Sequence, residues 1–336
     1  MTYTKYLFAT LLMTTQCTAQ DPEQKQKIKS DAGNPLLCNP DSGICEIPGS
    51  RPSEVPGNNA GAVKKEKAIR ILYFTDPICS SCWGIEPQLR RLKAEYGDSF
   101  EMEYHMGGLL PDWSYNAGGI SKPSDVASHW EEASRYYRMP IDGSIWLEDP
   151  LPSSYPPSIA FKAAQMQNEE RALRFLRRIR EMVFMEKKNI TKEEHIRKAA
   201  SDCSLDADKL IKDMKGPALK AFQDDLEMTR SQGVRGFPSL IFSDAKGNKR
   251  QVYGSRPYAQ FEQTLKELLP DAAPKAFDAR PEALFATYPS LTSLEFATLS
   301  GISMTDAEKV LAGLHQSGSL KKISIPNGSL WKAVRK

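Results

Sequence analysis

Two cysteines separated by two residues, Cys79 and Cys82, constrain the fold of this chain more than any other feature. An apolar run at 68–75 precedes them, and a helical pattern at 82–96 follows. This order of strand, cysteine pair and helix places both thiols at a helix N-terminus, where unpaired backbone N–H groups favour a thiolate over a thiol. The sequence therefore predicts that Cys79 is an exposed nucleophile that is alkylated more readily than Cys82.

The same cysteine spacing also forms one half of a zinc site. A structural zinc needs four clustered ligands, and this sequence has no second cysteine pair of that spacing. Its four histidines are scattered without ligand spacing, at His105, His129, His195 and His315. The pattern favours a redox dithiol over zinc, and it predicts neither a metal ion nor another cofactor.

A proline directly before a second apolar run supports the redox interpretation. Phe237 and Pro238 stand just before the run at 240–243. Because proline lowers the cost of a cis peptide bond, Pro238 can expose a backbone edge that faces Cys79 if both lie at the ends of neighbouring strands. The alternative is a trans proline that enters an edge strand.

Length and composition allow a large core and say little about partners. A chain of 336 residues is long enough for two domains, and 40% apolar residues suffice for a core. The 45 basic and 42 acidic residues leave a net charge of +3, so nothing general points to nucleic acid or to a membrane surface. We therefore expect no nucleic-acid partner.

The N-terminal part divides into a leader and a polar extension. Residues 1–19 contain Lys5, a short apolar run and small residues around Cys17, as in an export signal or a poorly matching lipoprotein signal. The run is too short to span a membrane. The alternative is an unprocessed leader on a cytoplasmic protein. Residues 20–67 show little periodicity and predict a flexible, mostly extended lead-in.

A second cysteine pair, Cys38 and Cys45, lies inside this extension. A proline and a glycine between the two form turns readily, so the loop can fold back and bring the sulfurs within bonding distance. The pair is then a static disulfide or a mobile dithiol that exchanges with Cys79 and Cys82. Two unpaired thiols in a tail are the alternative, and Cys203 is expected to be a small core residue.

The order of predicted elements indicates an α/β thioredoxin fold over residues 68–270. The strand at 68–75, the helix at 82–96 and an alternating strand at 99–106 form a βαβ unit with parallel strands. A helical insert at about 110–232 follows, and two strands and a helix complete the domain. The pattern predicts a thioredoxin fold with an inserted helical lid.

Residues 271–336 predict a separate small module. Thr292 and Glu295 form a capping-box pattern that begins one helix, Ser303 begins a second, and an Asn-Gly pair at 327–328 predicts a hairpin. Two helices and a hairpin are the order of a winged helix. Acidic residues near the N-terminus of the second helix oppose approach to phosphate, so a docking or structural role is favoured over DNA binding.

Several ordered motifs resemble known families. The strand, cysteine pair, helix, helical insert and Phe237-Pro238 together resemble the DsbA-type oxidoreductases, including their FrnE-like branch. Four motifs are similar to the cytosolic adaptor family that delivers the transcription regulator Spx to the ClpXP protease. They lie at 75–87, 159–164, 185–191 and 328–332. The resemblance to this family implies a cytoplasmic location. The first 50 residues are not part of it.

The resemblance implies roles for the central residues. Cys79 would be the attacking thiol, Cys82 the resolving thiol, and Pro238 a cis-proline beside the substrate groove. The two serines between the cysteines lack the histidine of the strongly oxidising DsbA motif. We therefore expect a less acidic Cys79 and a less oxidising couple than in that motif.

Three neighbouring residues are accessory in this interpretation: Asp76, Trp83 and Phe237. Asp76 either assists proton transfer to Cys82 or is simply an acidic residue between strand and loop. Trp83 shields the thiols, presents an apolar docking surface, or belongs to the core.

Two functions follow from the sequence. The first is a DsbA-family thiol-disulfide oxidoreductase that acts on a protein substrate. The alternative is a ClpXP adaptor that binds a client regulator of the Spx type, with the cysteine pair as a redox sensor or a relic. The intact cysteine pair and the proline favour the first, and the order of motifs through Lys332 favours the second.

Overall fold

The computed structural model describes residues 38–39, 43–46, 67–114 and 121–334. The predicted leader at 1–19 lies outside these residues, as does most of the extension at 20–67. The described strands are β1 (Cys38–Asn39), β2 (Ile44–Glu46), β3 (Ile69–Thr75), β4 (Phe100–Met106), β5 (Gly236–Phe237), β6 (Ser239–Asp244), β7 (Lys249–Tyr253), β8 (Ser290–Thr292), β9 (Leu320–Ile325) and β10 (Gly328–Ala333). The described helices are α1 (Ser80–Gly84), α2 (Glu86–Tyr96), α3 (Pro123–Tyr137), α4 (Ile145–Glu148), α5 (Tyr155–Gln167), α6 (Glu169–Met185), α7 (Glu193–Asp202), α8 (Ala207–Met214), α9 (Pro217–Ser231), α10 (Tyr258–Leu268), α11 (Pro281–Thr287), α12 (Ser293–Ser300) and α13 (Met304–Gln316).

The thioredoxin domain contains a four-stranded sheet in the order β4-β3-β6-β7. β3 and β4 are parallel, and β6 is antiparallel to both β3 and β7. Ser239, the first residue of β6, lies opposite Phe74 near the carboxyl end of β3. Pro238 therefore stands at the end of the sheet where the chain leaves β3 for the cysteine segment. The predicted thioredoxin fold is confirmed.

The two faces of β3 pack into different cores, which explains its almost continuous apolar sequence. Ile71 and Tyr73 belong to a cluster with Leu92 of α2 and with α10. Phe74 faces the opposite way, into the larger cluster formed with the helical insert, where Phe161 of α5 is completely buried. The insert therefore covers one face of the sheet at the end that carries the cysteines.

The helix predicted at 82–96 is divided into α1 and α2. Pro87 stands in the first turn of α2, where its missing N–H is tolerated, whereas the same proline inside one continuous helix would remove a hydrogen bond and clash with the preceding turn. The break separates a short helix that carries the cysteines from the longer helix that packs on the sheet.

The segment predicted to form the C-terminal module contains α11, α12, α13 and a three-stranded sheet in the order β8-β10-β9. The capping box is present, because the Thr292 hydroxyl accepts from the Glu295 N–H and the Glu295 carboxylate accepts from the Thr292 N–H. The order of two helices and a hairpin agrees with the sequence, and its identification as a winged helix stays a prediction. Within the described residues, no helix is both long and apolar enough to cross a membrane.

Candidate functional site

The cysteine segment lies where the chain passes from β3 into α1. Cys79 is the N-cap residue of α1, and its Sγ accepts a hydrogen bond from the Cys82 backbone N–H at 3.2 Å. Cys82 is a free thiol in the structure. The helix N-terminus expected from the sequence is therefore in place, and the sulfur of Cys79 caps it.

Cys79 is completely buried, which differs from the exposed nucleophile expected from the sequence. Every residue of α1 is buried, and both α3 and strand β2 pack against this helix. Burial raises the pKa of Cys79 well above its usual value, and the nearby Cys82 and Asp76 raise it further. The expectation of an exposed, acidic Cys79 is wrong for this conformation, because removal from water disfavours a thiolate more than the helix N-terminus stabilises it.

Cys82 is the thiol whose charged form the surroundings favour. Burial raises its pKa, but a hydrogen bond from Cys79, the charge of Arg180 and hydrogen bonds from Thr75 and the Asp76 backbone lower it more, so the net pKa is below its usual value. In this conformation the surroundings therefore favour a thiolate at Cys82 over one at Cys79. Attack by Cys79 requires that its thiol lose a proton or that the site open.

Arg180 is a site residue that the sequence interpretation missed. It comes from α6 and is 1% exposed, and it pairs with Glu86 at 2.6 Å and donates to the Thr75 hydroxyl at 2.6 Å. Its Nε has no hydrogen-bond partner among the described residues. The sequence contained an indication of this role. Arg180 stands four residues after Leu176, so the helical period places it on the buried face of α6, where a charged side chain needs polar partners.

Asp76 is completely buried and binds neutral donors. Its carboxylate accepts from the N–H of Ile78 at 3.0 Å, the N–H of Leu109 at 2.8 Å and the hydroxyl of Ser154 at 2.8 Å. Burial raises the pKa of Asp76 to about 6, although these hydrogen bonds and the charge of Arg180 lower it. A carboxyl that titrates near neutral pH beside two thiols can exchange protons with them, so a proton-transfer role stays a prediction.

The proline loop lies beside this site and is tightly packed. The peptide bond between Phe237 and Pro238 is cis. The Phe237 ring lies so close to Gly107 that a Cβ added there would be 1.7 Å from it, and a side chain at that position would displace the ring. The Pro238 carbonyl accepts from the Gly254 N–H at 2.8 Å. These contacts hold the loop next to the carboxyl end of β3.

Trp83 and Cys203 belong to the core. Trp83 is completely buried, stacks on Phe184 with ring centroids 5.4 Å apart, and donates from Nε1 to the Pro140 carbonyl at 3.0 Å. It therefore presents no exposed docking surface. Cys203 caps the carboxyl end of α7, is buried as expected, and has its pKa raised to about 12 by that burial.

His105, His195 and His315 make separate hydrogen bonds rather than forming one cluster. His105 bonds to Asp225 at 2.8 Å, while His195 and His315 each bond to a backbone carbonyl. In the part of the chain that the structure describes, no three His, Cys, Asp or Glu side chains form a group that could hold a metal ion.

The backbone of the second cysteine pair lies next to the proline loop. β1 and β2 are antiparallel with Cys38 opposite Cys45, and β2 is antiparallel to β5 with Cys45 opposite Phe237. The lead-in expected to be mostly extended thus contains a hairpin at these residues, because β5 provides partners for its backbone groups. A disulfide between Cys38 and Cys45 stays a prediction.

A second cluster of buried charges joins the C-terminal module to the rest of the fold. Glu295 of α12 is completely buried, accepts from the Arg177 guanidinium at 2.7 and 2.9 Å, and pairs with Arg90 at 3.0 Å. Glu181, one turn after Arg177, pairs with Lys332 of β10 at 3.0 Å. Burial raises the pKa of both carboxyls, but the cations lower it more, in Glu181 to about 2.

Known proteins resemble this chain over most of its length. The sequence model of a family described as thioredoxin matches residues 72–263. The ClpXP adapter protein SpxH of Halalkalibacterium halodurans is 32% identical over 308 residues, which are 89% of this chain and 97% of that protein. The ClpXP adapter protein SpxH of Bacillus subtilis is 31% identical over 80% of this chain and 90% of its own length.

A solved structure shares the fold. A Nitrosomonas europaea protein assigned to the protein disulfide isomerases superposes with a TM-score of 0.50 and 20% identity, over 61% of this chain and 97% of its own. At that identity the likeness concerns the fold alone.

Proposed function

We propose that this chain, which belongs to the thioredoxin family, is an adaptor that binds a client regulator of the Spx type and delivers it to a ClpXP-type protease. The match to the SpxH proteins carries the proposal. It spans 89% of this chain and 97% of one relative, whereas the thioredoxin family match ends at residue 263. The similarity therefore includes residues outside the thioredoxin domain, which disulfide chemistry alone would not require.

The attachment of the C-terminal module supports a docking function. Glu295, Arg177 and Arg90 come from α12, α6 and α2, so one buried ion cluster joins the module, the helical insert and the thioredoxin core. A client that contacts more than one of these parts meets a surface that is already ordered. Preorganisation of that kind improves affinity because less conformational freedom is lost on binding.

The closed state of the dithiol also favours binding over turnover in this conformation. Cys79 is completely buried, and its surroundings favour the protonated thiol. A nucleophile must be ionised and accessible to attack a protein disulfide. Client docking needs neither property.

Reconstituted degradation tests the proposal. Purified ClpXP and a purified Spx-type regulator are incubated with and without the full chain, and the regulator is quantified on gels over time. We expect the chain to accelerate degradation by about tenfold or more, which corresponds to an activation free energy lower by ~1.4 kcal/mol. A ClpXP substrate that needs no adaptor is the control, and its degradation should not change. Unchanged degradation of the regulator, with no binding detected by calorimetry, would overturn the proposal.

A thiol-disulfide oxidoreductase is the second candidate, favoured by the position of Cys79 and Cys82 at the start of α1 and by the proline loop beside them. In that reaction the Cys79 thiolate attacks a substrate disulfide, forms a bond to one substrate sulfur and releases the other as a thiolate. Cys82 then attacks Cys79, so the substrate leaves reduced and the Cys79–Cys82 disulfide forms. The substrate gains the two electrons that the dithiol loses.

Trapping distinguishes this candidate. With Cys82→Ser the second step cannot occur, so an oxidoreductase should accumulate mixed disulfides through Cys79 that survive denaturing gels and disappear on reduction. Cys79→Ser is the matched control and should trap no substrate. If neither variant forms a mixed disulfide with an added disulfide-containing protein, the oxidoreductase candidate is excluded.

A further inference from the structure

The chain's own N-terminal hairpin lies against the strand that leads into the proline loop. β2 pairs antiparallel with β5, with Cys45 opposite Phe237 and Glu46 opposite Gly236. β1 extends this small sheet on the far side of β2, and β2 also packs against α1, the helix that Cys79 caps. A segment remote in sequence therefore occupies the sheet edge beside the dithiol.

The hairpin is held at a defined position. The Gly43 carbonyl accepts a hydrogen bond from the Ser255 N–H at 2.8 Å, and Ile44 is buried. Gly43 has a φ of +64°, and a Cβ added to it would lie 2.4 Å from the Ser255 Cβ and 2.7 Å from its backbone nitrogen. Such an approach needs glycine both for the backbone angle and for the space.

The strand pairing of β1, β2 and β5 fixes the positions of Cys38 and Cys45 relative to each other and to the proline loop. Cys38 and Cys45 stand directly opposite in the β1–β2 ladder. Opposite residues of antiparallel strands have Cα atoms about 4.5–5.5 Å apart, which is within the range that a disulfide spans. Cys45 is one strand away from β5 and Cys38 two strands away, so Cys45 is the one next to the proline loop.

We propose that the β1–β2 hairpin is an internal ligand of the dithiol site: it occupies the strand edge beside Cys79, and Cys45 is the residue that exchanges disulfide bonds with Cys79. An incoming polypeptide that adds a strand at the edge of β5 that β2 occupies must displace the hairpin, since both need the same backbone groups. The proposal goes beyond the adaptor function and does not depend on it, because it concerns only groups of this chain.

The exchange conserves atoms and electrons within the chain. The Cys79 thiolate attacks Cys45 of a Cys38–Cys45 disulfide, so the bond between Cys79 and Cys45 forms while Cys38 leaves as a thiolate and takes up a proton. Cys82 then attacks Cys79, the Cys79–Cys82 disulfide forms, and Cys45 is released as a thiol. The N-terminal pair is reduced and the Cys79–Cys82 pair oxidised by the same two electrons. A glutathione disulfide buffer supplies the one disulfide that the four cysteines share.

Disulfide mapping of the full-length Cys82→Ser variant tests the assignment. The protein is equilibrated in a glutathione buffer, quenched with N-ethylmaleimide and digested without reduction. Asp41 lies between Cys38 and Cys45, so a protease that cleaves before aspartate separates them. We expect a linked peptide pair that joins Cys45 to Cys79, with Cys38 alkylated. Adding Cys45→Ser should abolish the link to Cys79, whereas Cys203→Ser should leave it unchanged.

Three outcomes would overturn the exchange: Cys79 bound only to glutathione, Cys79 linked as often to Cys38 as to Cys45, or an intact Cys38–Cys45 disulfide beside a free Cys79. None of these results depends on a client or a protease. Failure here is therefore distinguishable from failure of the adaptor proposal, which the degradation assay measures separately.

A second pair of variants tests whether the hairpin occupies the strand edge beside Cys79. Gly43→Val places a branched side chain against Ser255, whereas Gly247→Val introduces the same strain at a φ of +85° where no heavy atom lies within 4 Å. With circular dichroism confirming that both fold, we expect Gly43→Val to speed alkylation of Cys79 by about tenfold or more, because a covering segment is removed. Gly247→Val should match the parent protein. Equal Cys79 rates in all three proteins would refute the occupancy.

Discussion

Asp76 and Glu295 are two completely buried carboxyls in opposite electrostatic settings. Glu295 pairs with Arg177 and Arg90, and these cations outweigh burial, so its pKa lies below the usual range. Asp76 accepts hydrogen bonds from neutral groups, and burial raises its pKa to about 6. The first carboxyl is compensated and holds the C-terminal module in place. The second lies beside two thiols and changes protonation near neutral pH.

Helix α6 contributes an arginine to the surroundings of Glu295 and another to those of Asp76. Arg177 and Arg180 stand three positions apart on α6, yet Arg177 binds Glu295 while Arg180 reaches Thr75 and Glu86 under the cysteine segment. Arg180 retains a buried Nε without a partner among the described residues. Incompletely satisfied polar groups are rare in stable cores and are concentrated at functional sites. The ion cluster at Glu295 therefore stabilises the fold, whereas the site at Asp76 keeps groups that can change protonation.

The largest expected effect is the loss of the compensated carboxyl. Glu295→Gln removes the completely buried carboxylate and leaves the half-buried Arg177 and Arg90 with only their weaker share of Glu181 and Glu86, so we expect the free energy of unfolding at pH 7 to fall by about 3–5 kcal/mol. Urea unfolding measures the loss. Asp306→Asn, which removes an exposed carboxylate from the same module, is the control and should have a much smaller effect. Equal effects of the two variants would contradict the role of the buried cluster.

The pH dependence of Asp76 should have the opposite sign. Its pKa rises from 3.8 in the unfolded chain to about 6 in the fold, so its contribution to stability is full below pH 4 and is lost as the pH rises through 6. The shift of about 2 units corresponds to roughly 3 kcal/mol. Asp76→Asn lacks this titration, so its stability relative to the parent protein should improve by about 3 kcal/mol between pH 4 and pH 7.

Urea unfolding at both pH values checks this sign. The stability that the Glu295 carboxylate provides is present above its usual pKa and is lost as the pH falls through its lowered pKa. The deficit of Glu295→Gln relative to the parent protein should therefore shrink in acid. If the stability of Asp76→Asn and that of Glu295→Gln, each relative to the parent protein, changed in the same direction with pH, the opposite settings of the two carboxyls would be contradicted.

Arg180 should control the thiolate with a smaller effect. Its charge helps to lower the pKa of Cys82, so Arg180→Met should raise that pKa and reduce the thiolate fraction at pH 7 severalfold. Absorbance at 240 nm across a pH titration measures the thiolate. Arg180→Lys keeps the charge and should preserve much of the shift. Titrations that coincide for the Met variant and the parent protein would show that Arg180 does not act on Cys82.

The smallest effect is expected at Cys203. It is buried at the end of α7, and burial raises its pKa to about 12, so neutral iodoacetamide should leave it unlabelled. Cys203→Ser should change stability by about 1 kcal/mol and leave the Cys82 titration unaltered. Mass spectrometry of the folded protein checks the labelling. Rapid modification of Cys203 would contradict its assignment to the core.

The sequence predicted features that depend on neighbouring residues. The strand before Cys79, the helix start at the cysteines and the capping box of Thr292 and Glu295 are local patterns, and all are present. The burial of Cys79, the hydrogen bond from Arg180 to Thr75 across 105 residues and the pairing of Cys45 with Phe237 are long-range contacts. Periodicity reveals which face of a helix is buried, but it does not reveal which distant group that face meets.

If client delivery depends on docking and leaves the dithiol closed, it should survive the loss of both thiols. The reconstituted degradation of the Spx-type regulator is repeated under reducing conditions with a variant that carries both Cys79→Ser and Cys82→Ser. We expect a degradation rate within about twofold of that supported by the parent chain, because binding requires no thiolate. A rate equal to that without any adaptor, from a variant whose circular dichroism and urea midpoint match the parent, would contradict it.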